Sequence, residues 1–244
     1  MPISRRINPT VGMPIPTGAI TMSTTDASLL RLLQLSSVSL PVGGYAFSQG
    51  LEYAVECGWV NSVEDTAAWL QTQIDQSLGY VDLPVLAHAW QAAASGDGDR
   101  FNYCNDLVLA CRETAELRLT DTAMGTSLQR VLTNLELPPL PLQGRDCSFV
   151  VAFAWAAQQW QIELEATLLG YSWSWLENQV AAATKLVPLG QTQAQALLSQ
   201  LQGSVASTVT NARQLELDEV GACLPALAIA SCQHETQYTR LFRS

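Results

Sequence analysis

Apolar residues recur along this chain at helical spacing. From Asp26, the residues Leu29, Leu30, Leu32, Leu33 and Leu35 form a wide apolar stripe that ends near Val38. The run Ser62-Val63-Glu64-Asp65 resembles a capping box with Asp65 in place of Glu, and Ala67, Leu70, Ile74 and Leu78 then repeat on one face up to Gly79. Asp82 and Pro84 are expected to open a helix that buries Val85, Leu86, Ala89 and Trp90 and ends at Ser95-Gly96. Asp99 is placed to cap a long helix through Leu119, and a further helix is expected over Asp121 to Thr133. Phe149 to Trp160 reads as a buried helix. Glu163 to Thr184 carries Leu164, Leu168, Tyr171, Trp175 and Val180 on a mostly apolar face, with Trp173 and Trp175 read as core. Gln193 to Thr210 begins another helix, and Pro225 suits the first turn of the last one. No strand-like alternation of useful length occurs, so the fold class is all-α, a single helical domain of about nine or ten helices.

Turn chemistry is densest between Ser36 and Glu56. Pro41 fixes its own φ and biases Leu40 away from the helical region, while Gly43 and Gly44 admit backbone angles closed to residues with a Cβ. Tyr45 and Phe47 follow at once, and Ser48 is a candidate N-cap for a short helix from Gln49 to Cys57 that ends at Gly58. A tight interhelical turn with a core aromatic accounts for this stretch as well as a docking loop does. Leu137 to Gln143 is proline-rich, but it is short and apolar, so it is expected to pack across one domain rather than to separate two. Asn211 to Glu219 is polar and reads as a loop. Residues 1–21 are rich in Pro, Thr and Gly without periodicity and read as a disordered N-terminal extension, with Met22 an alternative start; the helical domain is then 22–244.

Composition narrows the function. Of 244 residues, 48% are hydrophobic and only 14% charged, so amides must cover much of the surface, which suits an interaction protein and equally fits compositional drift. A net charge of −10 opposes an extended basic face for nucleic acid. The longest unbroken apolar run, Phe149 to Ala157, is about half of what a bilayer span needs. No secretory h-region follows Arg5 and Arg6, so a cytoplasmic location is expected. The six cysteines are scattered through helical patterns and read as reduced thiols, with Cys104 and Cys111 at core spacing. His88 and His234 are the two histidines, and neither CxxC nor HExxH occurs; Cys232 and His234 form a CxH pair that suits transient contact with a soft metal or a structural role. His88, set among Ala and Leu, reads as a satisfied boundary residue. Neither GxxxxGK[ST] nor GxGxxG is present, so no cofactor is expected. Arg112 and Glu116, four apart, are placed to pair on one helical face.

Four ordered stretches, LPVGGYAFSQGLE, ACRETAELR, KLVPLGQ and the closing HETQYTRLFRS, are similar to the urease accessory protein F family (UreF), and the likeness extends from about Asp26 to Ser244. The resemblance implies an all-α, dimerising, non-catalytic scaffold in assembly of the nickel centre of urease. Such a scaffold binds UreD (also called UreH), with it recruits the nickel-carrying GTPase UreG to the urease apoprotein, and gates GTP-dependent release of Ni²⁺. By position, Tyr45 and Arg240 match the GTPase-facing surface, and the tail matches the part that orders on binding UreD or UreH. The resemblance thus implies partner-binding roles for Tyr45, Gln49, Glu52, Lys185, His234, Glu235, Tyr238, Arg240, Leu241, Phe242 and Arg243, with no catalytic and no metal-binding residue. The tail, which mixes Tyr238, Leu241 and Phe242 with arginines, is expected to be poorly ordered alone.

Two other classes fit a helical chain of this kind. One is a small-molecule enzyme with an acid-base pair drawn from Glu52, Glu56 or Glu113 and a tyrosine, although single carboxylates on helices are usually solvated. The other is a plain helical interaction domain, which a pull-down without urease-related partners would favour.

Overall fold

Residues 24–244 are described by the computed structural model, and the regular structure among them is helical throughout. The expected extension 1–21 and Met22 lie outside the described residues. Helix α1 (Thr24–Leu35) leads into a 3-10 turn (Gly44–Ala46) and the short α2 (Leu51–Glu56). Next comes a continuous rod: α3 (Val63–Gln73), a π-helical stretch (Ile74–Asp82) and α4 (Leu83–Ser95). Then follow α5 (Gly98–Ala110), α6 (Ala115–Asn134), α7 (Phe149–Gln159), α8 (Leu164–Leu186), α9 (Gln191–Ala212), a 3-10 turn (Leu217–Glu219) and α10 (Pro225–His234).

The rod corrects the expected break between Gly79 and Pro84. Proline lacks an N–H and crowds the carbonyl four residues back, and the wider π turns preceding Pro84 accommodate it without ending the helix. Gly79 serves packing here: a Cβ at this position would lie 3.0 Å from Thr208 Cγ2 of α9. Asp82, expected as a cap, is buried inside the rod. At the start of α3, Ser62 does cap, accepting the Asp65 amide at 3.1 Å.

The segment expected as one helix to Leu119 followed by another from Asp121 is divided elsewhere. Asp97 rather than Asp99 caps α5 by accepting the Arg100 amide at 3.0 Å. The chain breaks over 111–114, and extended Thr114 starts α6, its hydroxyl accepting the Leu117 amide at 3.1 Å. Leu119 and Asp121 therefore lie on one uninterrupted helix.

The core centres on α7, whose Val150 to Ala154 are wholly buried against α4 and α6. Phe149, Phe153 and Tyr171 form its aromatic knot, with Phe153 and Tyr171 edge to face at 5.4 Å. As expected, the proline-rich segment packs on this same core, through Leu140 and Leu142, with Pro138 accepting Trp155 Nε1–H at 3.0 Å. Its exit crosses α6 at Gly125, where a Cβ would lie 2.1 Å from the Cys147 carbonyl oxygen, so no larger residue fits. Trp173 and Trp175 are half-buried against the core. The apolar stripe of α1 divides: Leu35 is buried and Leu32 half-buried, whereas Leu29, Leu30 and Leu33 are exposed. Within the described residues the six cysteines are free thiols, and no helix is long and apolar enough to cross a membrane.

Candidate functional site

The Gly-Gly loop is a turn whose two aromatics part company. Gly43 takes φ 79°, a left-handed angle that a residue with a Cβ seldom adopts. Its carbonyl accepts the Ala46 amide at 3.0 Å, and that of Gly44 accepts Phe47 at 3.2 Å. The result buries Val42 and Phe47 and leaves Tyr45 65% exposed, projecting from the loop. Gly50 rather than Ser48 precedes α2, because Gln49 and Gly50 both have positive φ, but the Ser48 hydroxyl still accepts the Glu52 amide of its first turn at 3.4 Å. Gln49 is half-buried and accepts Trp175 Nε1–H at 3.0 Å.

Against this loop lies the end of the chain. After α10, residues 235–244 turn back over α2, and the expectation of a poorly ordered tail is corrected: it packs on its own chain. The Arg243 amide donates to the Ala46 carbonyl at 2.8 Å. The Ser244 carbonyl accepts the Ser48 and Gln49 amides, and the Ser244 hydroxyl meets that of Thr120 at 2.5 Å. Phe242 is buried, with Lys185 Nζ 5.2 Å above its ring. Between these anchors Tyr238 stands fully in solvent and Leu241 is 64% exposed.

Beneath the tail, three buried side chains from three helices meet. Glu52 of α2 accepts the amides of Leu241 at 2.6 Å and Phe242 at 2.9 Å, and His234 Nε2 lies 3.0 Å from the same carboxylate. The other ring nitrogen of His234 lies 2.9 Å from Glu116 of α6, which also accepts a hydrogen bond from Arg240 at 3.3 Å. Burial pushes the Glu116 carboxyl up from its ordinary value, against the pull of His234 and Arg240. Of the two readings of the CxH pair the structural one fits His234, which is fully buried with both ring nitrogens engaged, whereas Cys232 is exposed, so the two do not form a joint metal site. His88, by contrast, is satisfied as expected, facing the Leu215 carbonyl and Arg100.

The resemblance-implied residues therefore fall into two groups. Tyr45, Lys185, Glu235, Tyr238, Arg240, Leu241 and Arg243 are exposed around the loop and tail; Glu52, His234 and Phe242 face the interior, and Gln49 lies between. Lys185 and Arg240 line one groove with Val55, Leu241 and Tyr238, and Arg243 and Tyr45 line the groove on the loop side. These three cations are gathered on a chain of net charge −10, with Glu56 and Glu235 as exposed acidic neighbours.

A second polar centre lay outside the sequence reading. Arg112 does not pair with Glu116, because the break over 111–114 removes the helical i, i+4 geometry. It turns inward, 2.8 Å from Asp82 and 2.8 Å from Asp121. Tyr171 donates to Asp82 at 3.0 Å, and Asp121 also accepts the Ser148 hydroxyl at 2.8 Å and the Phe149 amide at 2.7 Å. Burial raises the Asp82 carboxyl and carries the Tyr171 hydroxyl well up. Burial alone would lower Arg112, but Asp121 and Asp82 outweigh it and raise the guanidinium further. This network borders a cavity of about 80 Å³ that reaches Gly44, Gln49 and Leu227, so it underlies the loop and α10. No sequence signal distinguished Asp82, which looks like a cap before Pro84.

The three glutamates considered for acid-base work do not meet as a pair. Both Glu52 oxygens hold tail amides, Glu56 is exposed, and exposed Glu113 lines the other cavity. Among the described residues no cluster of three or more His, Cys, Asp or Glu side chains is placed to hold a metal ion.

Comparison with known proteins places this arrangement in context. A family model described as UreF matches residues 60–202. The chain is 55% identical over 221 residues to the urease accessory protein UreF of Marinomonas sp. (strain MWYL1), covering 91% of this chain and 96% of that protein. It is 48% identical over 222 residues to the protein of the same name from Pseudomonas entomophila (strain L48), covering 90% and 99%. For that of Pseudoalteromonas translucida (strain TAC 125), identity is 46% over 225 residues, covering 90% and 96%.

Proposed function

The chain belongs to the UreF family of urease accessory proteins, and on that premise we propose that it is a non-catalytic scaffold for loading nickel into urease. In this reading it acts in the cytoplasm as a homodimer, binds UreD or UreH through the folded-back tail, and with that partner recruits the GTPase UreG to the urease apoprotein. Ni²⁺ is cargo passed on under control of GTP hydrolysis on UreG, and it is not a resident of this chain.

One observation carries the reading: Tyr45, at 65% exposure, projects from a loop that is itself stitched to the tail bearing Tyr238, Arg240 and Leu241. Solvent-facing tyrosine beside arginine is the composition in which binding energy concentrates, and Leu241 adds apolar area to it. The gathered cations favour a partner face rich in carboxylates. The test is capture from purified components. UreD or UreH should be retained by the chain and lost after removal of 235–244, and UreG should join only the UreD-loaded or UreH-loaded complex. Capture of UreG that is indifferent to both would contradict the scaffold reading.

A further inference from the structure

The tail has no regular helix after His234, so its shape depends on what holds it from inside. That hold is concentrated on one carboxylate. Glu52, only 6% exposed, fills its oxygens with two consecutive tail amides and one imidazole, and the imidazole is backed by Glu116, equally buried. A carboxylate withdrawn from water is tolerable only when its lone pairs are filled. If the tail lifts, Glu52 keeps His234 alone, so docking of the tail and satisfaction of Glu52 are one event.

A proton count adds a condition. An ionised carboxylate only accepts, and a neutral imidazole carries one N–H, yet His234 faces a carboxylate at each ring nitrogen. Both contacts require two protons across the three side chains: an imidazolium between two carboxylates, or a neutral ring with one carboxyl protonated. With one proton removed, a ring nitrogen lone pair faces a carboxylate lone pair.

We propose that Glu52 is a positioning residue for partner recruitment, which through His234 and Glu116 holds the tail so that Tyr238, Leu241 and Arg243 face outward, and that this hold requires the two protons shared along Glu52, His234 and Glu116. The proposal rests on the reading of the tail as a docking face. The other charged groups around the relay are Glu56 of α2 and Lys185 of α8, which line a groove with Glu52 and Arg240, and Glu235 beyond α10. Burial and Glu235 raise Glu116, while His234 and Arg240 lower it, with a net rise. A raised carboxyl favours the folded, protonated form at low pH, and that contribution is lost as pH climbs through the raised value. Because both imidazole contacts need the two protons, the docked tail is the proton-rich state and loosens as pH rises.

Hydrogen–deuterium exchange of the full chain, read on the peptide that contains Leu241 and Phe242 and corrected for intrinsic rates, tests this. Glu52→Gln should retain its helical signal while these two amides exchange at least about tenfold faster, with a parallel loss of UreD or UreH capture. In the unmodified chain their protection should fall as pH is raised, whereas Glu116→Gln, whose amide donates to His234 at any pH, should keep the tail protected and flatten the profile. Unchanged protection in Glu52→Gln, or a profile in the unmodified chain that is already flat, would overturn the anchor. A loosened tail with undiminished capture would overturn the docking reading, and the recruitment role with it, while leaving the anchor in place.

Discussion

The carboxylate of Glu52 accepts the amide of Leu241 at 2.6 Å across 189 positions of sequence. This contact joins the first part of the helical domain to its last turn, and it makes the loop and the tail one surface rather than two. Tyr45 and Tyr238 are consequently presented by a common support, although each sits on an irregular segment.

The tail is structural as well as exposed. Removing 235–244 uncovers the Phe242 pocket and leaves Glu52 without its tail amides. The expected cost is about 3 kcal/mol, a fall in melting temperature of roughly 6–12 °C, with the helical far-UV signal largely kept. A thermal melt of the truncated chain checks this, and an unshifted melt would mean that the tail is not docked.

Arg112 is the sole cation between Asp82 and Asp121 among the described residues. Arg112→Ala should therefore cost about 3–5 kcal/mol by stranding two buried carboxylates. Asp82→Asn should cost far less, because it leaves one carboxylate facing one guanidinium. The sign of the pH effect follows from the raised Asp82 carboxyl: its contribution favours the fold at acid pH and is lost as pH rises through the raised value, and Asp82→Asn should remove that slope. Urea unfolding of both variants across pH decides it, and equal costs would contradict the charge argument.

Two glycines within helices should respond in opposite directions. At Gly125 a methyl group would sit 2.1 Å from a backbone carbonyl oxygen that cannot step aside, whereas at Gly203 in α9 nothing lies within 4 Å. Gly125→Ala is expected to lose about 2–3 kcal/mol or more, and Gly203→Ala to gain about 0.5–1 kcal/mol. Matched melts of the two variants test the packing at the crossing of the 135–148 segment over α6.

Much of this was legible in the residues. Periodicity located α7, α8 and α9, and Pro225 marked the start of α10. The failures have physical causes. Pro84 and Gly79 signal a break in an α-helix, but a π-helical stretch tolerates both, so one rod was read as two helices. The pairing of Arg112 with Glu116 assumed a continuous helix, and the extended backbone at Thr114 sends the two side chains to different centres. Turn chemistry located the loop and mixed composition marked the tail, but their partner-binding role came from resemblance, which could not tell inward Glu52, His234 and Phe242 from outward Tyr45, Tyr238 and Leu241. That distinction depends on long-range contacts that no local pattern encodes.

The central claim, that the loop and tail form the surface on which the GTPase is recruited, is tested most directly by Tyr45→Ala, measured for melting temperature and for UreG capture by the UreD-loaded or UreH-loaded complex. Because Tyr45 is 65% exposed, the melt should change by less than about 2 °C, the scale of a surface substitution. Capture of UreG should nevertheless weaken by about tenfold to thirtyfold, the loss typical of an aromatic anchor. Undiminished capture with an unchanged melt would contradict the account.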